Sequence, residues 1–355
     1  MTIRPILLAA ALAVAAPALA PAPAIADSAA DNKTLVVGTM WESLPLNMRA
    51  RRSRFFNESE ILDTLLKLDY EMNLIPGLAT GWERVSPKTW HFTLRDGVTF
   101  HDGTAFDADA AKYSLEQVIA LLPYAADLLN IAEIEVTSPT TLTITTSEPF
   151  AALANQLTDA ITGIYARASF DSEGAFVKPI GTGPFRFVSY EKQQHTTVER
   201  FDNYWGDAPA LETIVYRYIP DHNARTIALE TGEIDVSISP LPADVKRLEG
   251  SKFQVFAEPT AGLYYGSFNA AADRPTGDPM VRRAIDRLID RELIVSGALD
   301  GVGLPARSFF SPEFGWVPAD APKTPHDPQA AAALLSQAGY EKTGGTWTKE
   351  GEPLT

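Results

Sequence analysis

Gly181-Thr-Gly-Pro-Phe-Arg-Phe187, followed by Phe201-Asp-Asn-Tyr-Trp-Gly206, is the stretch on which the reading of this chain turns. Gly181, Gly183 and Pro184 fix an irregular backbone, because glycine tolerates positive φ and proline locks φ. The β-rich run Phe185 to Val198 then leads to a second turn that carries a Tyr-Trp pair. No obvious nucleophile or base triad accompanies it. On its residues alone the stretch is a stiff crossover between elements, silent in chemistry.

Working outward, strand and helix patterns mix, as in an α/β or α+β fold. Thr34 to Gly38 reads as the first strand. Asn57 to Leu62 reads as a capped helix start, with Ile61, Leu62, Leu65 and Leu66 on one face. Leu68 to Ile75 predicts a hairpin, Trp90 to Leu94 a half-buried strand, and Arg95 to Gly103 a strand between two Asp-Gly turns. A helix is expected over Asp107 to Leu122 and a strand over Leu142 to Thr145. Strand Ile214–Ile219, helix Asn223–Thr231 closed by Gly232, and strand Ile234–Ile238 make a β-α-β unit. Tyr264 to Phe268 reads as a strand, Pro279 to Ile294 as an amphipathic helix, and Pro328 to Ala338 as a helix closed by Gly339. Trp347 to Thr355 reads as a turn and the opening of a strand with no partner after it.

With 355 residues the chain is long enough for two domains and a large core. Its net charge of −15 argues against nucleic acid and against an anionic membrane surface as partners. Arg4 is the only charged side chain before Asp27, Ile6 to Ala16 is apolar, and Ala24-Ile-Ala26 offers the small residues a signal peptidase reads. Residues 1–26 are therefore expected to be a cleavable signal peptide. The chain has no cysteine, hence neither disulfides nor an acylation site. A free periplasmic protein, not a lipoprotein, is the expectation.

Catalytic patterns are sparse. None of the five histidines stands three or four residues from another, so no metal site and no cofactor is expected. There is no Gly-x-Ser-x-Gly elbow, and Gly301-Val-Gly303 lacks the third glycine of a dinucleotide fingerprint. Carboxylates are plentiful but no pair is singled out; an exported hydrolase is the rival class. One segment stands apart: Arg49, Arg51, Arg52 and Arg54 crowd next to Phe55 and Phe56. It reads either as a solvated loop balancing an acidic protein or as a cleft wall that holds a carboxylate-bearing ligand.

Five stretches in order resemble one family. Leu74 to Trp82 resembles a P-x-L-A-x-x-W segment, and Trp90 to Asp109 a W-x-F-x-L-R-x-G-V-x-F-H-D-G-x-x-F-x-A-D block. Pro179 to Gly206 matches the opening motif, Glu230 to Asp235 an E-x-G-E-I-D turn, and Asp278 to Arg291 a D-x-x-V-R-x-A-I-x-x-A-I-D-R helix, with Leu288 where alanine is frequent. The chain thus resembles the peptide/nickel class of bacterial extracellular solute-binding proteins, family 5, over nearly all of Thr34 to Thr355.

The resemblance implies a periplasmic binding protein fold of type II: two lobes, a hinge and an inserted subdomain. Lobe I is expected at 33–70 and 178–268, the inserted subdomain at 71–177, and lobe II from 269 to 355, where it stops incomplete. It implies ligand capture without catalysis, and delivery to an ABC permease and ATPase at the inner membrane, by a monomer. Nickel-chelate members carry an Arg and a Trp in a loop that aligns with Leu121 to Asp127, where this chain has neither, and a second Arg near Thr158. A small peptide or similar zwitterion is therefore the expected ligand, and a nickel or other metal chelate the alternative. Ligand contacts are expected from Arg51, Phe55, Phe56 and Asn57 in lobe I, from Tyr124 across the cleft, and from Tyr265 near the hinge.

Overall fold

The computed structural model describes residues 33–42, 60–257, 263–308, 310, 317–318, 320 and 322–354. In chain order the first strands are β1 (Thr34–Thr39), the hairpin β2 (Leu66–Leu68) and β3 (Leu74–Pro76), then β4 (Ala79–Arg84) and β5 (Thr89–Leu94). Helices α1 (Ala108–Leu121) and α2 (Pro123–Leu129) precede β6 (Ile131–Ser138) and β7 (Thr141–Thr146). β8 (Phe185–Glu191), β9 (His195–Arg200) and β10 (Thr213–Tyr218) lead to α3 (His222–Thr231), β11 (Val236–Ser237) and α4 (Pro242–Glu249). The described remainder holds α5 (Pro279–Leu288), α6 (Pro328–Gln337), β12 (Glu341–Thr343), β13 (Thr346–Lys349) and β14 (Glu352–Pro353).

Besides the β2-β3 hairpin, two larger sheets lie within residues 33–257. The first has the order β11-β1-β10-β9-β8. Its β1 lies between two parallel partners, β10 and β11, and this is why Thr34-Leu-Val-Val-Gly-Thr39 is apolar without alternation. The second, β4-β5-β7-β6, is antiparallel throughout. There the alternation is clean: Trp90, Phe92 and Leu94 of β5 and Leu142 and Ile144 of β7 point inward. Burial of each such side chain contributes ~1.5–3 kcal/mol.

Helix α1 joins the two sheets. Asp107 caps it, its carboxylate accepting from the Ala110 amide at 2.8 Å. Leu115 and Ala111 pack into the core of the four-stranded sheet, while Val118 and Leu122, a turn further on, pack with Val37, Phe185 and Val198 beneath the five-stranded sheet. A separate cluster of Val281, Ala284, Ala331, Leu335, Ala338 and Tyr340 holds α5 against α6.

Several expected elements differ. From Glu60 the chain runs extended into β2, with Glu60 itself at φ +55°, instead of forming a helix. The apolar spacing is helical in period, yet Ile61 and Leu62 enter the core of the five-stranded sheet while Leu65 and Leu66 enter that of the four-stranded sheet. An extended chain can serve two cores at once; a helix presents one face. Residues 95–103 form a loop with one bridge, Thr99 to Ala105. The segment expected to be a loop at Leu121 to Asp127 is largely helical. Tyr264 to Phe268 forms no strand, and α5 stops at Leu288, where Ile289 and Asp290 turn extended before a short turn at Arg291–Leu293. Glu352 and Pro353 pair back onto β13.

Candidate functional site

In open α/β sheets ligands bind beyond the carboxyl ends of the parallel strands. β1, β10 and β11 all end on the same edge here, and the Arg-aromatic segment is the chain's continuation from β1. The exit is firmly held. Thr39 Oγ1 donates to the Trp41 carbonyl at 2.9 Å, and the Glu42 carboxylate accepts from Tyr190 Oη and the Gln193 amide, both at 2.7 Å. The Tyr190 bond lowers the Glu42 pKa; burial and the same bond push Tyr190 up to about 12.

The chain returns at Glu60, directly into a crossing built by the Gly181 to Phe187 stretch. Gly183 N donates to the Ile61 carbonyl at 3.1 Å and Phe185 N to the Glu60 carbonyl at 3.3 Å. Ile164 N donates to the Asp63 carbonyl at 2.9 Å, and Leu78 N to that of Thr64 at 3.0 Å. A Cβ on Gly181 would overlap the Ile61 carbonyl oxygen, and one on Gly183 that of Glu60. The glycines are therefore required by close approach of two backbones.

His101 locks the crossing. Its Nδ1 accepts from Gly181 N at 3.2 Å, Nε2–H donates to the Gly183 carbonyl at 2.9 Å, and its own amide donates to the Gly181 carbonyl at 2.9 Å. Those partners require the neutral ring with its proton on Nε2. Burial lowers its pKa to about 4, against the opposing pull of the Gly183 bond and Asp63. The edge of Phe201 packs on the ring at 4.9 Å between centroids.

Asp63, 1 % exposed, is the buried charge of this region. Its Oδ2 accepts from Thr182 Oγ1 at 3.1 Å and Trp205 Nε1 at 2.8 Å, and Oδ1 faces Lys67 Nζ at 2.7 Å. The Arg95 guanidinium lies 4.1 Å from the Trp205 ring centre, which adds a cation–π contact. Beside this node opens a cavity of about 280 Å³, walled by Glu60, Asp63, Thr64, Lys67, Thr158 and Tyr204 among others. Its wall carries both signs of charge and hydroxyl groups, chemistry suited to a small polar group of mixed charge. Thr158 stands on this wall.

Of the expected ligand contacts, Arg51, Phe55, Phe56 and Asn57 lie outside the described residues. Tyr124 is near the start of α2, 38 % exposed, at the rim of an aromatic group in which Tyr165 packs edge-on against Phe170 and Phe176. Burial raises the Tyr165 pKa, and Tyr124 adds to that shift. Tyr265 is 68 % exposed on the irregular stretch after residue 263. Asp63, Lys67 and Thr182 escaped the sequence reading. The available signal was Asp63 itself, the one charge within Ile61-Leu-Asp-Thr-Leu-Leu66, where a carboxylate must find partners.

Known proteins agree with this architecture. The model for bacterial extracellular solute-binding proteins, family 5 Middle, matches residues 73–355, and the chain belongs to that family. The glutathione-binding protein GsiB of Salmonella paratyphi A is 32% identical over 287 residues, covering 78% of this chain and 55% of that protein. The chain thus spans little more than half the length of that curated relative. Among solved structures, NikA from Brucella suis in complex with Fe(III)-EDTA superposes with a TM-score of 0.75 at 26% identity, over 90% of this chain and 68% of that one. An ABC transporter substrate-binding protein from Sinorhizobium meliloti gives a TM-score of 0.69 at 32% identity, over 90% and 68%. The mixed α/β fold is that of the type II periplasmic binding proteins. Members of the family bind small ligands or peptides and serve ABC transporters; these relatives are transport proteins, not enzymes. No helix among the described residues is long and apolar enough to cross a membrane.

Proposed function

We propose that this chain is the solute-binding component of an ABC importer, exported to the periplasm through residues 1–26, without catalytic activity. It captures a small peptide or similar zwitterion and delivers it to the inner-membrane permease and its ATPase. The observation that carries the reading is the family match across residues 73–355. The ligand class is supported by the glutathione-binding relative, since glutathione is a tripeptide with charges of both signs, and by the mixed charge around Lys67 and Asp63.

The lobe assignment is part of the same proposal: 33–70 with 178–268 as lobe I, 71–177 as the inserted subdomain, and lobe II from 269. Its support is that the five-stranded sheet draws only on residues 34–39 and 185–237, whereas the four-stranded sheet draws only on 79–146. Arg51, Phe55, Phe56, Asn57, Tyr124 and Tyr265 are proposed as ligand contacts.

The test is titration calorimetry and thermal shift on the protein at its full natural length, with glutathione, mixed dipeptides, and nickel with histidine as probes. Saturable binding of a peptide without turnover is the expected result. Hydrolysis of the probe with no retained ligand overturns the binding reading, and binding of the nickel chelate alone reassigns the ligand. Unchanged affinity in both Arg51→Ala and Phe56→Ala refutes the contact assignment.

A further inference from the structure

The cavity beside the Asp63 node presents three groups whose bonding capacity its own walls leave unused. Lys67 lies in β2, and its ammonium gives one N–H to Asp63 Oδ1 at 2.7 Å. An ammonium carries three donors, so two remain, and the side chain is 38 % exposed. Its place is fixed twice, by Asp63 and by the Trp205 ring centred 5.6 Å from Nζ. Tyr204 is held by the turn after β9. Its amide donates to the Phe201 carbonyl at 3.0 Å, and its ring centre lies 5.1 Å from that of Trp205. Its hydroxyl has no hydrogen-bond partner among the described residues. Glu60, at φ +55° where the chain enters the crossing, pairs with no cation among them.

We propose that this cavity is a subsite for an intact α-amino-acid zwitterion, in which Glu60 takes the ammonium while Lys67 and the Tyr204 hydroxyl take the carboxylate. Asp63 cannot stand in for Glu60, because its oxygens are committed to Lys67, Thr182 and Trp205. It is the anchor that holds Lys67 at the wall. Thr158 donates its hydroxyl proton to the Asn155 carbonyl at 2.8 Å, which leaves its oxygen lone pairs as a further acceptor for an ammonium. Tyr204 remains a donor: burial, and then the Asp63 and Glu60 carboxylates, hold its pKa well above the usual phenol range.

Size and charge together narrow the ligand. Pockets for drug-sized molecules begin near ~300 Å³, and this one is about 280 Å³. It takes one head group, and the rest of a longer ligand runs out through the mouth. Leu62, Leu68 and Pro184 complete the wall, and their apolar surface strengthens the ion pairs made beside them. An ammonium and a carboxylate on one carbon occur in free amino acids and in peptides joined through a side-chain carboxyl, such as γ-glutamyl peptides. The amino end of an α-linked peptide carries an amide carbonyl there instead, a weaker acceptor for Lys67 and Tyr204. The subsite thus separates γ-linked from α-linked peptides. That the full ligand is a peptide rests on the transport reading above; the head-group subsite itself does not.

Amide NMR titration of the full chain with glycine, the bare head group, tests the subsite without a peptide. Saturable shifts are expected at the Lys67, Leu68 and Tyr204 amides. N-acetylglycine and glycinamide each lack one of the two charges and are expected to leave those amides in place. Glu60→Gln and Tyr204→Phe are each expected to weaken glycine binding about 10-fold, the loss of one charge-assisted bond. Lys67→Gln is expected to abolish it; if that variant does not fold because Asp63 loses its cation, the other two decide. Calorimetry is expected to find γ-L-glutamylglycine at least ~10-fold tighter than α-L-glutamylglycine, because the latter leaves polar groups of the site unpaired. No saturable shift with glycine, equal shifts with its two blocked forms, wild-type affinity in Glu60→Gln, or equal affinity for the two dipeptides overturns the proposal. Glycine binding with neither dipeptide retained supports the subsite and counts against the peptide ligand proposed above.

Discussion

The glycine crossing and the arginine edge solve the same problem by opposite means. Each must hold several chain segments together away from regular sheet pairing. At Gly181 and Gly183 the chain removes side chains, so that one backbone lies directly on the Glu60–Ile61 backbone. At the carboxyl edge a single long side chain, Arg225, spans the segments and bonds four acceptors. Each also uses a histidine as acceptor. His101 is kept neutral by burial, with a pKa near 4, whereas His222 is half-exposed and bonded to a cation. The crossing has no room to relax; the edge hangs on the hydrogen bonds of one side chain.

That contrast can be broken by substitution, most severely at the crossing. Gly183→Ala is expected to cost about 5 kcal/mol or to abolish folding, because two main chains must part; urea unfolding measures it. Asp63→Ala strands Lys67 and removes the acceptor of Thr182 and Trp205, an expected loss of about 4 kcal/mol in the same assay.

His101 supplies the third test, with its sign fixed by the lowered pKa. The unfolded ring takes a proton near pH 6.5, the folded one only near 4. Its contribution is thus complete above about pH 6.5 and is lost as pH falls toward 4, amounting to about 3 kcal/mol. A stability-versus-pH curve for His101→Gln should lack that slope. Arg225→Lys should cost about 2 kcal/mol at neutral pH from carbonyls left unbonded. At the small end, Lys33→Ala removes an exposed pair with Glu212, and its melting temperature should match the wild type.

Much of the architecture was legible. Asp107 and Gly232 marked helix ends where the structure has them, and the alternation of Trp90, Phe92 and Leu94 marked a half-buried strand. The failures share a cause. Ile61 to Leu66 has helical spacing, but its side chains go to two cores assembled from distant sequence, information no local window contains. The end of α5 at Leu288 and the absent strand at Tyr264 are likewise set by packing, not propensity.

At the site, Arg225 was invisible because an arginine in an amphipathic helix ordinarily reads as surface. Only its burial among carbonyl groups reveals otherwise. The Arg51 to Asn57 segment was conspicuous in sequence by its charge and falls outside the described residues.

The placement of β1 has a consequence for biogenesis. Its Thr34 pairs with Thr213 and its Val37 with Val236, so the first strand to be made lies between the last two strands of its sheet. Such long-range closure slows folding, because the entropy of the intervening chain is lost before the pairing is gained. In the exported chain proposed above, β1 emerges first and waits, unpaired, until β10 and β11 have followed. A topology of this kind keeps the polypeptide unfolded during passage through a translocon and defers collapse to the far side. Refolding should accordingly be slow and single-phased for the five-stranded sheet, with the locally wired hairpins of the four-stranded sheet forming earlier.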